Sequence, residues 1–166
     1  ASFYPHTLVA SSLSKSCALT GLRLGWLLAP QEIAATIFKA HQFAVSCADT
    51  IAQRAAVEIF KTPGLLTEHR AHYAKNHTEL LQSLADTGLS YMPPDGAFYC
   101  MLRLPEPWKD NSMQAALTLM ERHDVVAIPG SVFEAEGFLR ISFVAPPSVV
   151  REGLTRIATF LQEPLS

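Results

Sequence analysis

Between Pro5 and Pro30 the only formal charges are Lys15 and Arg23. Thr7-Leu8-Val9-Ala10 reads as a short buried strand, and Leu24-Gly25-Trp26-Leu27-Leu28-Ala29 as a second, closed by Pro30. Together they make a strand–loop–strand unit with Lys15 in the connection. Two strands alone are marginal in water, so this unit calls for a larger sheet than the chain itself encodes. The connection, Ser12 to Gly25, sets one lysine among small hydroxyl and sulfur residues. A neighbouring cation disfavours the ammonium form of a lysine, and a neutral lysine attacks carbonyls and forms Schiff bases. Arg23 offers a planar fork of donors suited to a phosphate, and Ser12 and Ser14 offer hydroxyls. The stretch reads as a lysine nucleophile beside an anion clamp. The plain alternative is a surface lysine in a hairpin.

Ser12, Leu13, Ser14 and Lys15 follow a small–apolar–small–Lys order, and Arg23, Leu24 and Gly25 follow eight residues on. This run resembles the cofactor-lysine signature of the class I/II pyridoxal-phosphate-dependent aminotransferases of fold type I, and fills it without departure. The resemblance implies that Lys15 is catalytic and carries pyridoxal 5'-phosphate as a Schiff base. It implies that Ser12, Ser14 and Arg23 complete the cofactor-binding set, with Ser12 and Arg23 at the phosphate.

Half of the 166 residues are apolar and the net charge is −2, a globular composition with enough chain for a real core. Near-neutrality leaves no electrostatic footprint for nucleic acid or an anionic membrane. No apolar run is long enough to span a bilayer, and no basic-then-apolar signal opens the chain. Cys17, Cys47 and Cys100 are odd in number and widely spaced, which argues for a reducing compartment, read here as cytoplasmic.

Gln31 to about Phe43 is helical in pattern. A second helix starts near Asp49 or Thr50, where Thr50 with Gln53 could form a capping box. Ala52, Ala56, Ile59 and Phe60 share its apolar face, and Thr62-Pro63-Gly64 stops it. Leu65 to about Ala85 reads as a long amphipathic helix with Leu66, Tyr73, Leu80, Leu81 and Leu84 on its apolar side and Gly88 as its cap. His69 and His72 are three apart, but a third ligand and an apolar setting are missing, so no metal is assigned. Leu89–Met92 and Ala97–Leu102 read as strands joined by the turn Pro93-Pro94-Asp95-Gly96. A helix capped by Asn111 or Ser112 runs to about His123 with Ala116, Leu119 and Met120 inward. Val125–Ile128 reads as a short buried strand, followed by the turn Pro129-Gly130-Ser131-Val132-Phe133. Period two in Phe138–Val144 places Leu139, Ile141 and Phe143 on one face and Arg140 with Ser142 on the other. Val150, Leu154, Ile157 and Leu161 make the core stripe of a last helix.

On pattern alone Arg140 is an edge-strand arginine reaching water. The resemblance implies instead that it binds the substrate α-carboxylate through a bidentate fork. The runs Pro-Asp-Gly-Ala-Phe-Tyr and Pro-Gly-Ser-Val-Phe are similar to further stretches of the family. The implied fold class is α/β with an α+β small domain. Residues 1–30 would be the C-terminal part of the large cofactor domain, 31–64 the bridging helices and 65–166 the small C-terminal domain. The implied function is amino-group transfer from an amino acid to a 2-oxo acid, by a homodimer. The lysine and arginines do not separate this from a C–S lyase or cyclase on the same scaffold. A non-catalytic remnant acting in assembly is the reading from another class. The resemblance covers less than half of a family member and places several cofactor contacts upstream of residue 1. Residues 1–166 alone are therefore expected to bind the cofactor weakly without turnover. Arg140 reports only an α-carboxylate and does not choose the amino acid.

Overall fold

The computed structural model describes residues 4–62 and 64–163. Pro63 and the side chain of Leu66, on which two sequence expectations fall, lie outside what it describes. The chain divides into two compact units, Ala1–Arg70 and Ala71–Ser166.

In the first unit, β1 (Val9–Ser12) pairs antiparallel with β2 (Gly25–Leu28), in a register that sets Val9 opposite Leu28 and Ser12 opposite Gly25. The expected strand at Thr7–Ala10 thus starts two residues later. It is also exposed rather than buried, because among the described residues its ribbon has no further strand to extend the sheet. Between the strands lie a single helical turn, α1 (Leu13–Ser16), and a 3-10 turn, Thr20–Leu22. Two helices follow, α2 (Gln31–Val45) and α3 (Thr50–Lys61). The α3 cap is Asp49, whose carboxylate accepts from the Ala52 amide at 2.8 Å. Gln53 donates to the Ala48 carbonyl, so the capping box expected of Thr50 and Gln53 does not form. An aspartate one residue earlier is the stronger acceptor for the free first-turn amides.

The long helix α4 (Leu65–Thr87) ends where Gly88, at φ +68°, donates its amide to the Leu84 carbonyl. The second unit holds an antiparallel four-stranded sheet ordered β3–β4–β6–β5, with β3 Tyr91–Met92, β4 Tyr99–Arg103, β5 Ile128–Pro129 and β6 Phe138–Ser142. Cys100 and Leu102 of β4 sit opposite Ile141 and Leu139 of β6, and all four are buried. Against this face pack Leu80 and Leu84 of α4, Ala115, Ala116 and Leu119 of α5 (Ser112–His123), and Leu154, Ile157 and Phe160 of α6 (Pro147–Gln162). Each leucine, isoleucine or phenylalanine among them taken from water stabilises the fold by roughly 1.5–3 kcal/mol, and the alanines by less. The helices therefore cover one face, and Tyr99, Arg103, Phe138 and Arg140 occupy the other.

Three local expectations shift. Met120 is outward and half-exposed, because the buried side of α5 runs through Ser112, Ala115, Ala116 and Leu119. The strand expected at Val125–Ile128 pairs only at Ile128 and Pro129, and Val126 is 74% exposed. A proline is tolerated there because β5 is a sheet edge. Polar residues join the buried set, Asn76, Ser83, Ser112 and Thr118 among the described residues: Asn76 donates to the Phe143 carbonyl at 3.2 Å, and Ser83 to the Glu79 carbonyl at 2.8 Å.

A network at the start of α5 fixes the turn before β6. The Asn111 side chain caps the helix by accepting from the Gln114 amide. The buried Ser112 hydroxyl accepts from the Ser131 amide at 3.2 Å. The Glu136 carboxylate accepts from the Ser112 amide at 2.6 Å and from the Gly137 amide at 3.2 Å. These bonds, those from Ser112 above all, hold the Glu136 carboxyl below the usual carboxylate range. A depressed pKa contributes stability that is present above the unfolded value, about 4.3, and is lost as pH falls through the folded value. Glu136→Gln should therefore lower the thermal midpoint at neutral pH, and the gap from wild type should close in strong acid. Melting curves across pH check this, and a gap independent of pH would refute it.

Candidate functional site

Lys15 sits in α1, and apolar anchors beneath the turn set its place. Leu13 and Cys17 are buried in a small core with Ala56 of α3, against which Leu19, Leu24, Trp26 and Ile59 pack. Helical spacing puts Leu13 and Cys17 on the inner side, which leaves Lys15 exposed between them. Ser12 caps the turn: its hydroxyl oxygen accepts from the Ser14 amide at 3.3 Å. That use leaves the Ser12 O–H free to donate elsewhere. Ser16 closes the turn from the other side by donating to the Ser12 carbonyl at 3.0 Å.

Arg23 follows the 3-10 turn in the left-handed region, at φ +49°. Left-handed backbone costs a non-glycine residue roughly 1–2 kcal/mol and clusters at functional positions. Its Nη1 donates to the Thr20 carbonyl at 3.0 Å, tying the guanidinium to its own turn with one of five N–H donors used. Among the described residues no carboxylate lies within ion-pair distance of it. Gly25 is required by close approach: a methyl group there would lie 2.8 Å from the Ser11 carbonyl oxygen. The amine of Lys15, the hydroxyls of Ser12 and Ser14 and the guanidinium of Arg23 are thus carried by one short connection. That donor set fits a phosphorylated aldehyde: an amine for the carbonyl carbon, and a cation with hydroxyls for the dianion.

The second unit carries Arg140, half-buried on β6 and on the sheet face away from the core. Its Cζ lies 4.3 Å from the ring centre of Tyr99 and 4.0 Å from that of Phe133. Neither ring was expected at this site. Tyr99 is legible only once the register is known, since it sits diagonally across from Arg140 on the paired strand. Phe133 arrives from the turn after β5.

A family model described as aminotransferase class I and II matches residues 1–157. The probable N-acetyl-LL-diaminopimelate aminotransferase of Bacillus subtilis is 38% identical over 160 residues, covering 94% of this chain and 40% of that protein. The probable aspartate/prephenate aminotransferase of Aquifex aeolicus is 31% identical over 163 residues, 95% of this chain and 41% of that protein. The crystal structure of aspartate aminotransferase from Thermotoga maritima superposes with a TM-score of 0.86 at 27% identity, over 94% of this chain and 40% of that one. The chain thus spans about two fifths of the length of the relatives it matches.

Proposed function

The chain belongs to the class I and II aminotransferases, and from that premise we propose that it serves amino-group transfer from an amino acid to a 2-oxo acid. Members of the family use pyridoxal phosphate, which supplies the electron sink for carbanion chemistry at the substrate α-carbon. Lys15 would hold it through a Schiff base from Nζ, with Ser12, Ser14 and Arg23 binding it and Ser12 and Arg23 on its phosphate. The observation that carries this reading is the connection from β1 to β2, where one capped turn holds Ser12 and Lys15 and the next presents Arg23, which makes no ion pair among the described residues.

From these residues the chemistry follows. Once the substrate amine has taken its place, the released Lys15 Nζ would take the proton from the α-carbon of the amino donor and, in the return half of the reaction, deliver one to the α-carbon of the 2-oxo acid, as a base set on a pinned turn can. Arg140 takes the substrate α-carboxylate in a bidentate fork, which orients the α-hydrogen. Residues 1–30 belong to the cofactor domain, 31–64 to the bridging helices and 65–166 to the small domain; the division of the chain after Arg70 lies near the last of these boundaries and supports that one alone. Assembly as a homodimer is supported by the apolar side chains exposed on the first unit, Leu28, Phe38 and Phe43, which call for cover. A cytoplasmic site is supported by three cysteines that are all unpaired. Among the described residues no helix is long and apolar enough to cross a membrane.

Incubation with pyridoxal phosphate, borohydride reduction and peptide mapping test the assignment. A single phosphopyridoxyl adduct on Lys15 is the expected result. An adduct spread over surface lysines, or none on Lys15, would overturn it.

A further inference from the structure

Arg140 is flanked by two aromatic rings, with Cζ 4.0 Å from the Phe133 centre and 4.3 Å from the Tyr99 centre. A guanidinium lying over rings is attracted through its face, and its in-plane N–H edge is then the part offered to a partner. Among the described residues that edge makes no ion pair with a carboxylate. The backbone that carries each ring is itself held. That of Tyr99 is set by the β4–β6 pairing, opposite Ser142. Phe133 ends the 3-10 turn Gly130–Phe133, which the Ser112 hydroxyl pins at the Ser131 amide and which closes through the Ala135 amide to the Gly130 carbonyl.

We propose that Tyr99 and Phe133 are positioning residues for the substrate carboxylate. They hold the Arg140 fork in its binding orientation before the substrate arrives, so that the fork is not ordered at the expense of affinity. The inference rests on the reading of Arg140 as the carboxylate site. It extends that reading to specificity: the clamp fixes a planar, bidentate donor, which suits a carboxylate and is lost on a point charge such as lysine.

The test compares Tyr99→Leu and Phe133→Leu with Tyr99→Phe and Phe133→Tyr, and all of them with Arg140→Lys. Succinate, a dicarboxylate without an amine, is the binding probe in calorimetry, and KM and kcat for the amino donor are read separately, all on a protein that carries residues 1–166 together with the cofactor contacts expected upstream. Each leucine variant should weaken succinate by about 3- to 30-fold and raise KM with little change in kcat. The aromatic exchanges should restore wild-type values, which a merely space-filling role would not require. Loss of succinate binding in Arg140→Lys, with both leucine variants within twofold of wild type, would overturn the clamp and leave the carboxylate site standing. Unchanged succinate binding in Arg140→Lys would overturn the carboxylate site and the clamp together. Should Phe133→Leu not fold, the Tyr99 pair decides the question.

Discussion

Lys15→Ala, introduced into a protein that carries residues 1–166 together with the cofactor contacts expected upstream, is expected to abolish amino-group transfer while leaving the fold intact. Loss of a proton-transfer base alone costs about a hundred- to ten-thousand-fold, and loss of the covalent link adds to it, so kcat/KM should fall by at least about a hundredfold. Stability should change by less than about 0.5 kcal/mol, because Lys15 is exposed and the turn is held by other residues. Leu13→Ala is the contrasting variant. Leu13 is fully buried under the same turn, and truncating it should cost about 2–5 kcal/mol and disturb activity only through the loop. Initial rates, thermal midpoints and the borohydride adduct, measured on both variants, separate chemistry from scaffold. A Lys15→Ala protein active within tenfold of wild type would remove Lys15 from the mechanism.

The contrast between those two residues shows what the sequence made legible. Lys15 stands out in the sequence because Arg23 is the only other formal charge between Pro5 and Pro30, and the spacing to Arg23 and Gly25 repeats a known signature. That Leu13 and Cys17 are its buried floor follows from helical spacing, but only once the connection is known to contain a helical turn. Strand alternation around Arg140 placed Leu139, Ile141 and Phe143 inward, and all three are buried. The same alternation could not name Tyr99 and Phe133, because a ring contact across strands depends on register and on where a turn ends. Those are set by pairing and by the Ser112–Ser131–Glu136 network, whose members are far apart in sequence.

The misplacements have a common cause. Sequence pattern reports which residues are apolar, and burial depends on what is available to cover them. β1 and β2 are apolar and exposed, since no further strand pairs with them among the described residues. Met120 is apolar and half-exposed, because four smaller or better-placed residues already fill the α5 contact with the sheet. At the α3 cap two acceptors competed, Asp49 and Thr50, and the residue with the better geometry to the Ala52 amide took the role. Local propensity narrowed each choice and tertiary context decided it.

Gly130 is where such context can be tested by a single methyl group. A methyl on Gly130 would lie 2.0 Å from the Ala135 carbonyl oxygen and 2.7 Å from that of Phe138. Both are backbone atoms, so no side chain can swing aside. Relief would require moving Pro129, which pairs with Leu139, or Ser131, whose amide is held by Ser112. Gly130→Ala should therefore cost about 3 kcal/mol or more, at the upper end of overpacking penalties. Gly153 lies inside α6 with nothing within 4 Å of the added methyl group. There the same substitution should stabilise by about 0.5–1 kcal/mol, since it relieves the backbone entropy cost of a helical glycine. Urea unfolding of both variants, with the slope of each transition checked for constancy, gives the two values on one scale. Because the strained turn carries Phe133, Gly130→Ala should also weaken succinate binding, whereas Gly153→Ala should not. A Gly130→Ala protein within 1 kcal/mol of wild type, binding succinate normally, would show that the turn yields more readily than its packing implies, and that Phe133 does not need the turn held rigid.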